Sequence, residues 1–205
     1  MGNRQNRIPV KTSPERYNEI AMKKNLLVFD CFGVVYNEVA PFVTREFLPP
    51  EEADRLKERD CPSADLGLLT LDELLEKWAK ELGTTKQHLK ELWLSFVKPK
   101  EETVKRLKEL KSHYDLVLLS NAPQGFVEEE FRKSGNDSLF KKIYVSSAIG
   151  MAKPNRDIYE YVQNDQGEEY SSFTMIDDNP KNLVEPKKLG WKTILFQGVE
   201  SLKDL

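Results

Sequence analysis

The sequence predicts a doubly wound parallel α/β sheet with a small helical lobe inserted after its first strand. Three observations carry that expectation. Five short apolar runs each end in polar or small residues, helical patterns separate the last four of them, and some 85 residues lie between Asp30 and Asp115. The runs are "LLVFD" (26–30), "DLVLLSN" (115–121), "KIYVSS" (142–147), "FTMIDD" (173–178) and "KTILF" (192–196). Consecutive rather than alternating apolar positions suit strands buried on both faces of a parallel sheet.

Residues 1–21 read as an extension, flexible or loosely docked. "MGNRQN" places Gly2 where an N-myristoyl group would go, but Asn6 stands where that signal needs Ser or Thr. Met22 opens "MKKNLLVFD" as a natural start would, directly before a strand. Residues 22–37 hold the first strand. Residues 38–98 form the helical lobe: "TLDELLEKWAKEL" puts Leu71, Leu74, Leu75, Trp78 and Leu82 on one face, with Thr70 and Glu73 spaced as a capping box. "HLKELWLSFV" repeats the pattern with Leu89, Leu92, Trp93, Phe96 and Val97. These stripes are expected to form the lobe's own core. Pro41, Pro49, Pro50 and Pro62 punctuate its first part and Pro99 closes it. Residues 99–205 then supply the remaining strands, with "KEETVKRLKELKSH" leading into the second and helical patterns over 124–134, 155–165 and 180–189.

Composition narrows the possible functions. A chain of 205 residues with 39% hydrophobic content can bury one sizeable core. Its 31 Lys and Arg against 34 Asp and Glu leave a net charge of -3, with no basic block interleaved with aromatics, so nucleic acid is not an expected partner. No apolar run reaches the length of a membrane span, and the first 22 residues lack a signal peptide's hydrophobic segment. Cys31 and Cys61 match neither a metal spacing nor a disulfide framework. A cytoplasmic protein acting on a small molecule is expected.

In a parallel sheet the ligand lies outside the carboxyl ends of the strands. The residues at those ends are Asp30, Ser120 with Asn121, and Asp177 with Asp178; Lys153 in "GMAKPNRDIY" precedes a helix starting near Pro154. Singly, each has an ordinary explanation as a turn residue, a cap or a surface charge. Together they place three carboxylates and one lysine in one crevice, a net charge of -2 that would raise a carboxylate pKa. A divalent cation would neutralise it, and oxygen donors without His or Cys point to Mg²⁺. Such a site accepts a phosphate dianion that bare carboxylates would repel.

With these residues in these positions, the chain from 26 to 198 resembles the haloacid dehalogenase superfamily of phosphatases and dehalogenases. Four motifs occur in order: "VFDCFGVV", "VLLSN", "GMAKPNRDIY" and "FTMIDDNPKN". The resemblance implies a Rossmann-like core with the active site beneath a helical cap formed by the insert. It implies that Asp30 attacks phosphorus and forms an aspartyl-phosphate, and that Ser120, helped by the Asn121 amide, binds the transferring group. Lys153 would neutralise that group, and Asp30, Asp177, Asp178 and the backbone carbonyl of Phe32 would hold Mg²⁺.

Phe32 departs from the family pattern. Most phosphatases of the family carry an aspartate there that protonates the leaving group, a contribution of ~10²- to 10⁴-fold. The resemblance therefore allows three activities: a phosphatase for small, activated esters such as sugar phosphates, a 2-haloacid dehalogenase, or a weakly active or non-catalytic binding protein. Family dehalogenases often carry an aromatic at this place but work without metal and match the acid pair poorly. The pair Asp177 and Asp178 therefore favours the Mg²⁺-dependent phosphatase, because unneeded paired carboxylates carry an electrostatic penalty. Arg45, Arg55, Arg59 and Trp93 in the insert are candidates to read the substrate. His88 and His113 are expected on the surface, and Cys31 is expected to pack as a small buried group.

Overall fold

The apolar run before Asp30 becomes the strand with most to bury. In the computed structural model, which describes residues 24–205, β1 (Lys24–Phe29) is the middle strand of a five-stranded sheet. The others are β2 (Asp115–Ser120), β3 (Lys142–Val145), β4 (Tyr170–Asp177) and β5 (Lys192–Leu195). All pairs are parallel in the order β3-β2-β1-β4-β5. Phe29 lies opposite Leu118 on one side and Ile176 on the other. Side chains alternate across the sheet, so Leu27 and Phe29 enter one apolar cluster and Leu26 and Val28 another. That two-sided burial is why the run is apolar at every position.

Chain order runs from β1 through β2 to one edge at β3 and then returns to β4 on the other flank of β1. The switch point therefore falls between β1 and β4, where the carboxyl ends open a crevice. The helices α5 (Glu101–Leu110), α6 (Phe126–Ser134) and α8 (Arg156–Gln166) alternate with strands as expected. The expected extension over residues 1–21, with Gly2 and Asn6, lies outside the described residues.

Two stretches differ from the sequence expectation. "KIYVSS" ends as a strand at Val145 and turns into α7 (Ser146–Ile149), where Ser146 Oγ accepts from the Ala122 amide at 3.1 Å. The pattern over 180–189 divides into a 3-10 turn, Pro180–Leu183, and the short α9 (Val184–Lys188). Pro186 has no amide hydrogen to give the Asn182 carbonyl, which accepts from the Tyr159 hydroxyl at 2.8 Å instead.

Between β1 and α5 run α1 (Ala40–Arg45), α2 (Pro50–Asp65), α3 (Leu71–Leu82) and α4 (Lys86–Phe96). The capping box of α3 is present: Thr70 Oγ1 accepts from the Glu73 amide and Glu73 Oε2 from the Thr70 amide. Pro62, expected to punctuate, lies inside α2, which stays helical around the buried face of Ala53, Leu56, Asp60 and Ala64. The apolar stripes of α3 and α4 do not close into a core of their own. Trp93 packs on Trp78 at 6.3 Å and on Phe126 of α6 at 6.0 Å, and this joins the insert to the cluster beneath one sheet face.

Asp60 is the polar exception in this packing. It is buried and accepts hydrogen bonds from Arg59 at 2.7 Å, Lys77 at 2.6 Å and the Trp78 indole at 2.9 Å. These donors, Arg59 foremost, hold its carboxyl well below the usual carboxylate range. Replacing Asp60 with asparagine should cost about 2 kcal/mol at neutral pH. A depressed folded pKa stabilises above the unfolded value and is lost as pH falls, so the gap between the two proteins should begin to close below about pH 4. Thermal melts from pH 7 to 3 measure it. Among the described residues no helix is long and apolar enough to cross a membrane.

Candidate active site

Asp30 follows directly on β1, its amide still donating to the Ile176 carbonyl at 2.9 Å, so its position is fixed by the sheet. One oxygen, Oδ1, accepts from the Cys31 amide at 2.6 Å and meets Lys153 Nζ at 2.7 Å. Lys153 reaches from the loop ahead of α8, and its other partner is Asp177 Oδ2 at 2.8 Å. Lys153 is 5% exposed and Asp177 0%, so the pairing takes place without solvent. Burial alone would depress the ammonium; Asp177 and Asp30 outweigh it and keep Lys153 charged. Burial pushes the Asp30 carboxyl up, and Asp177 pushes it further.

Asp177 and Asp178 play different parts. Both Asp177 oxygens are fully used: Oδ1 accepts from the Asn179 amide at 2.9 Å and Asn182 Nδ2 at 3.1 Å, and Oδ2 from Lys153 and, at 3.1 Å, from Asn182. A carboxylate has about four acceptor positions, so Asp177 is saturated and serves to hold Lys153. Asp178 is half-buried, and its carboxyl is raised by burial, then by Glu38 and Asp177. Carboxylate oxygens of Asp30, Asp177 and Asp178 lie within 4.8 Å of one another. A hard divalent cation fits this all-oxygen donor set, with Asp30 and Asp178 as its open members.

The loop after Asp30 is shaped for that acid. Gly33 has φ +85°, and a Cβ on it would come within 2.1 Å of Asp178 Oδ2. Its carbonyl also accepts a bond from Lys100 Nζ. Phe32 bridges to Tyr36 through the Cys31 carbonyl and the Gly33 amide, so that bridge leaves the Phe32 carbonyl unused. The Phe32 ring stacks on Phe126 at 6.1 Å. Gly33→Ala should lower stability by about 1–2 kcal/mol through the left-handed backbone and push Asp178 aside. A thermal melt and a crystal structure of the variant check both effects.

A cavity of about 260 Å³ covers this cluster. Asp30, Phe32, Lys153 and Asp178 line it, as does Trp93 from the insert, while Ser120 and Asp177 do not. Ser120, the last residue of β2, is 0% exposed. Its Oγ has no hydrogen-bond partner among the described residues beyond the nearby Cys31 thiol, a weak one. Asn121 lines the cavity, but its side chain is committed to the Lys153 backbone: Nδ2 donates to the carbonyl at 2.8 Å and Oδ1 accepts from the amide at 2.9 Å. It positions Lys153.

The arginines singled out in the insert point elsewhere, which corrects that expectation. Arg45 pairs with Asp54, Arg59 with Asp60 and Glu81, and Arg55 bonds the Glu51 carbonyl, none on the cavity. His88 and His113 are exposed as expected, and Cys31 is buried. The residues that sequence reasoning missed are Lys57, Cys61 and Asp65 of α2, with Glu38, all of which line the cavity. The spacing of 57, 61 and 65 is that of one helix face and is the signal that could have found them.

Comparison with known proteins bears on the family and the fold. The family model described as haloacid dehalogenase-like hydrolase matches residues 48–196. A predicted hydrolase of that kind from Porphyromonas gingivalis superposes with a TM-score of 0.69 at 24% identity, over 89% of this chain and 97% of its own. A family enzyme from Bacteroides thetaiotaomicron, in complex with magnesium and inorganic phosphate, gives 0.68 at 23% identity over 88% and 98%. The L-2-haloacid dehalogenase of Xanthobacter autotrophicus, with chloropropionic acid covalently bound, gives 0.62 at 16% identity over 87% and 80%. At these identities the likenesses show the fold. A drimenol cyclase of Aspergillus calidoustus is 31% identical over 78 residues, which are 38% of this chain and 15% of that protein's length.

Proposed function

The chain belongs to the haloacid dehalogenase-like hydrolases, and on that premise we propose that it is a Mg²⁺-dependent phosphatase of small phosphate esters. The observation that carries the reading is the cluster of Asp30, Asp177 and Asp178 at the mouth of β1 and β4, with Lys153 joining the first two. In this reading α1 to α4 cap the site, the protein works in the cytoplasm, and its partner is the phosphorylated small molecule.

The Asp30 oxygen attacks phosphorus, forming an aspartyl-phosphate as the ester oxygen departs, which divides one difficult displacement into two easier ones. Lys153, held by Asp177 and by the Asn121 clamp on its backbone, neutralises the transferring phosphoryl oxygens. The Ser120 hydroxyl, fully buried behind the cavity wall with only the weak Cys31 thiol beside it, is in this reading the donor to one of them. Asp30, Asp178 and the Phe32 carbonyl are the groups that would hold Mg²⁺, with Asp177 within reach; bound there, the ion would neutralise their charge and draw phosphate in.

A second reading rests on Phe32. An aromatic wall beside the nucleophile suits attack on carbon with halide departure, and the Xanthobacter neighbour is a 2-haloacid dehalogenase with chloropropionic acid covalently bound. Metal dependence separates the two. We expect hydrolysis across a panel of phosphate esters that needs Mg²⁺ and stops with EDTA. Halide release from 2-haloacids that survives EDTA would overturn the phosphatase reading.

A further inference from the structure

If the phosphatase reading holds, the missing aspartate at position 32 leaves the leaving oxygen without a proton donor. The cavity holds four carboxyl groups, and three are spoken for. Asp30 is the nucleophile, Asp178 the open cation donor, and Glu38 pairs with Lys57 at 3.5 Å. The fourth is Asp65, the last residue of α2, which lines the same cavity as Asp30, Phe32 and Lys153. Among the described residues its carboxyl makes no hydrogen bond or ion pair. Resting on that reading, we infer that Asp65 supplies from the insert the general acid and base that Phe32 does not.

Its setting suits the task. Directly after α2, Gly67 backs onto the Ser147 carbonyl so closely that a Cβ there would come within 2.6 Å, which pins the end of the helix to the sheet side of the seam. Asp65 is thus held at the junction of the insert and the sheet. Burial pushes its carboxyl up to about 6; Lys153 and Lys57 draw it down less strongly, and Glu38 pushes it up. Phe32, Ala64 and Leu74 supply apolar walls of the cavity. The neighbouring Cys61 thiol is pushed up to about 12, above Asp65 in the order of proton release.

The proton ledger closes over both steps. As Asp30 attacks, the bond from phosphorus to the ester oxygen breaks with its electron pair, and that oxygen takes the Asp65 proton to leave as an alcohol. The Asp65 carboxylate then takes a proton from water as the water oxygen attacks phosphorus. The bond from phosphorus to Asp30 breaks, its electron pair returns to the Asp30 carboxylate, and inorganic phosphate departs with Asp65 protonated again.

The test compares two esters of similar bulk, 4-nitrophenyl phosphate, whose leaving group needs no proton, and benzyl phosphate, whose leaving group does. Asp65→Asn should lower kcat/KM for benzyl phosphate by ~10²- to 10⁴-fold and that for the nitrophenyl ester by less than about tenfold. The ratio of wild type to variant on benzyl phosphate should be largest below about pH 6 and shrink above it, because the acid form is the one at work. This ratio cancels the ionisation of the substrate itself. Glu38→Gln should change both esters by one common factor. Equal losses on both esters from Asp65→Asn, or the selective loss appearing with Glu38→Gln instead, would overturn the assignment. A retained kcat/KM for the nitrophenyl ester, which reports phosphoryl transfer and not the later attack of water, shows that the variant is folded. Wild type that hydrolyses neither ester with Mg²⁺ present overturns the phosphatase reading and this inference with it.

Discussion

Replacing Asp30 with asparagine should abolish turnover, by on the order of 10⁴-fold or more, equivalent to roughly 5 kcal/mol of barrier. An amide oxygen has neither the charge nor the basicity to attack phosphorus. The folded protein should tolerate the change. Asparagine keeps an acceptor for the Cys31 amide and Lys153, and it replaces a carboxyl that burial and Asp177 already push towards its neutral form. Steady-state kinetics beside a thermal melt separates these effects: lost activity with an unchanged or slightly higher Tm is the expected pair.

Lys153→Met should remove activity and stability together. The lysine is the shared cation of Asp30 and Asp177, and its loss leaves two carboxylates facing each other away from water. Breaking a buried ion pair from one side costs about 3–5 kcal/mol at neutral pH. Carboxyls that hold protons more tightly when folded than when unfolded favour the folded state as pH falls. The deficit should therefore shrink from pH 7 towards about pH 4, where the unfolded carboxyls also take up protons. Denaturant melts at several pH values measure it. A constant deficit would mean that Lys153 contributes by packing alone.

What the sequence made legible follows from where information is local. The central strands announce themselves because residues such as Leu26, Leu27, Val28 and Phe29 are buried on both sides, a condition visible one residue at a time. The acids at strand ends are legible for the same reason: sheet connectivity turns linear position into a place on the crevice. The capping box at Thr70 is local too. What escaped depends on which way helices face. Arg45, Arg55, Arg59 and the residues Lys57, Cys61 and Asp65 share one short stretch, and only the packing of α1 and α2 decides which reach the cavity. The saturation of Asp177 by Asn179 and Asn182 is likewise a matter of three-dimensional hydrogen bonding, as is the fusion of the insert's apolar stripes with the core through Trp93. Phe32 was legible as an anomaly, and its remedy was not, because Asp65 lies 33 positions away on another element.

The central claim, a phosphoryl-transfer site built on Asp30, is tested most directly with Mg²⁺ and beryllium fluoride, which need no knowledge of the substrate. Fluorine NMR, followed by crystallography, should show a trifluoride adduct on the Asp30 carboxylate, dependent on Mg²⁺ and absent from Asp30→Asn. Mg²⁺ binding without an adduct, or an adduct signal that persists in Asp30→Asn, would contradict the account.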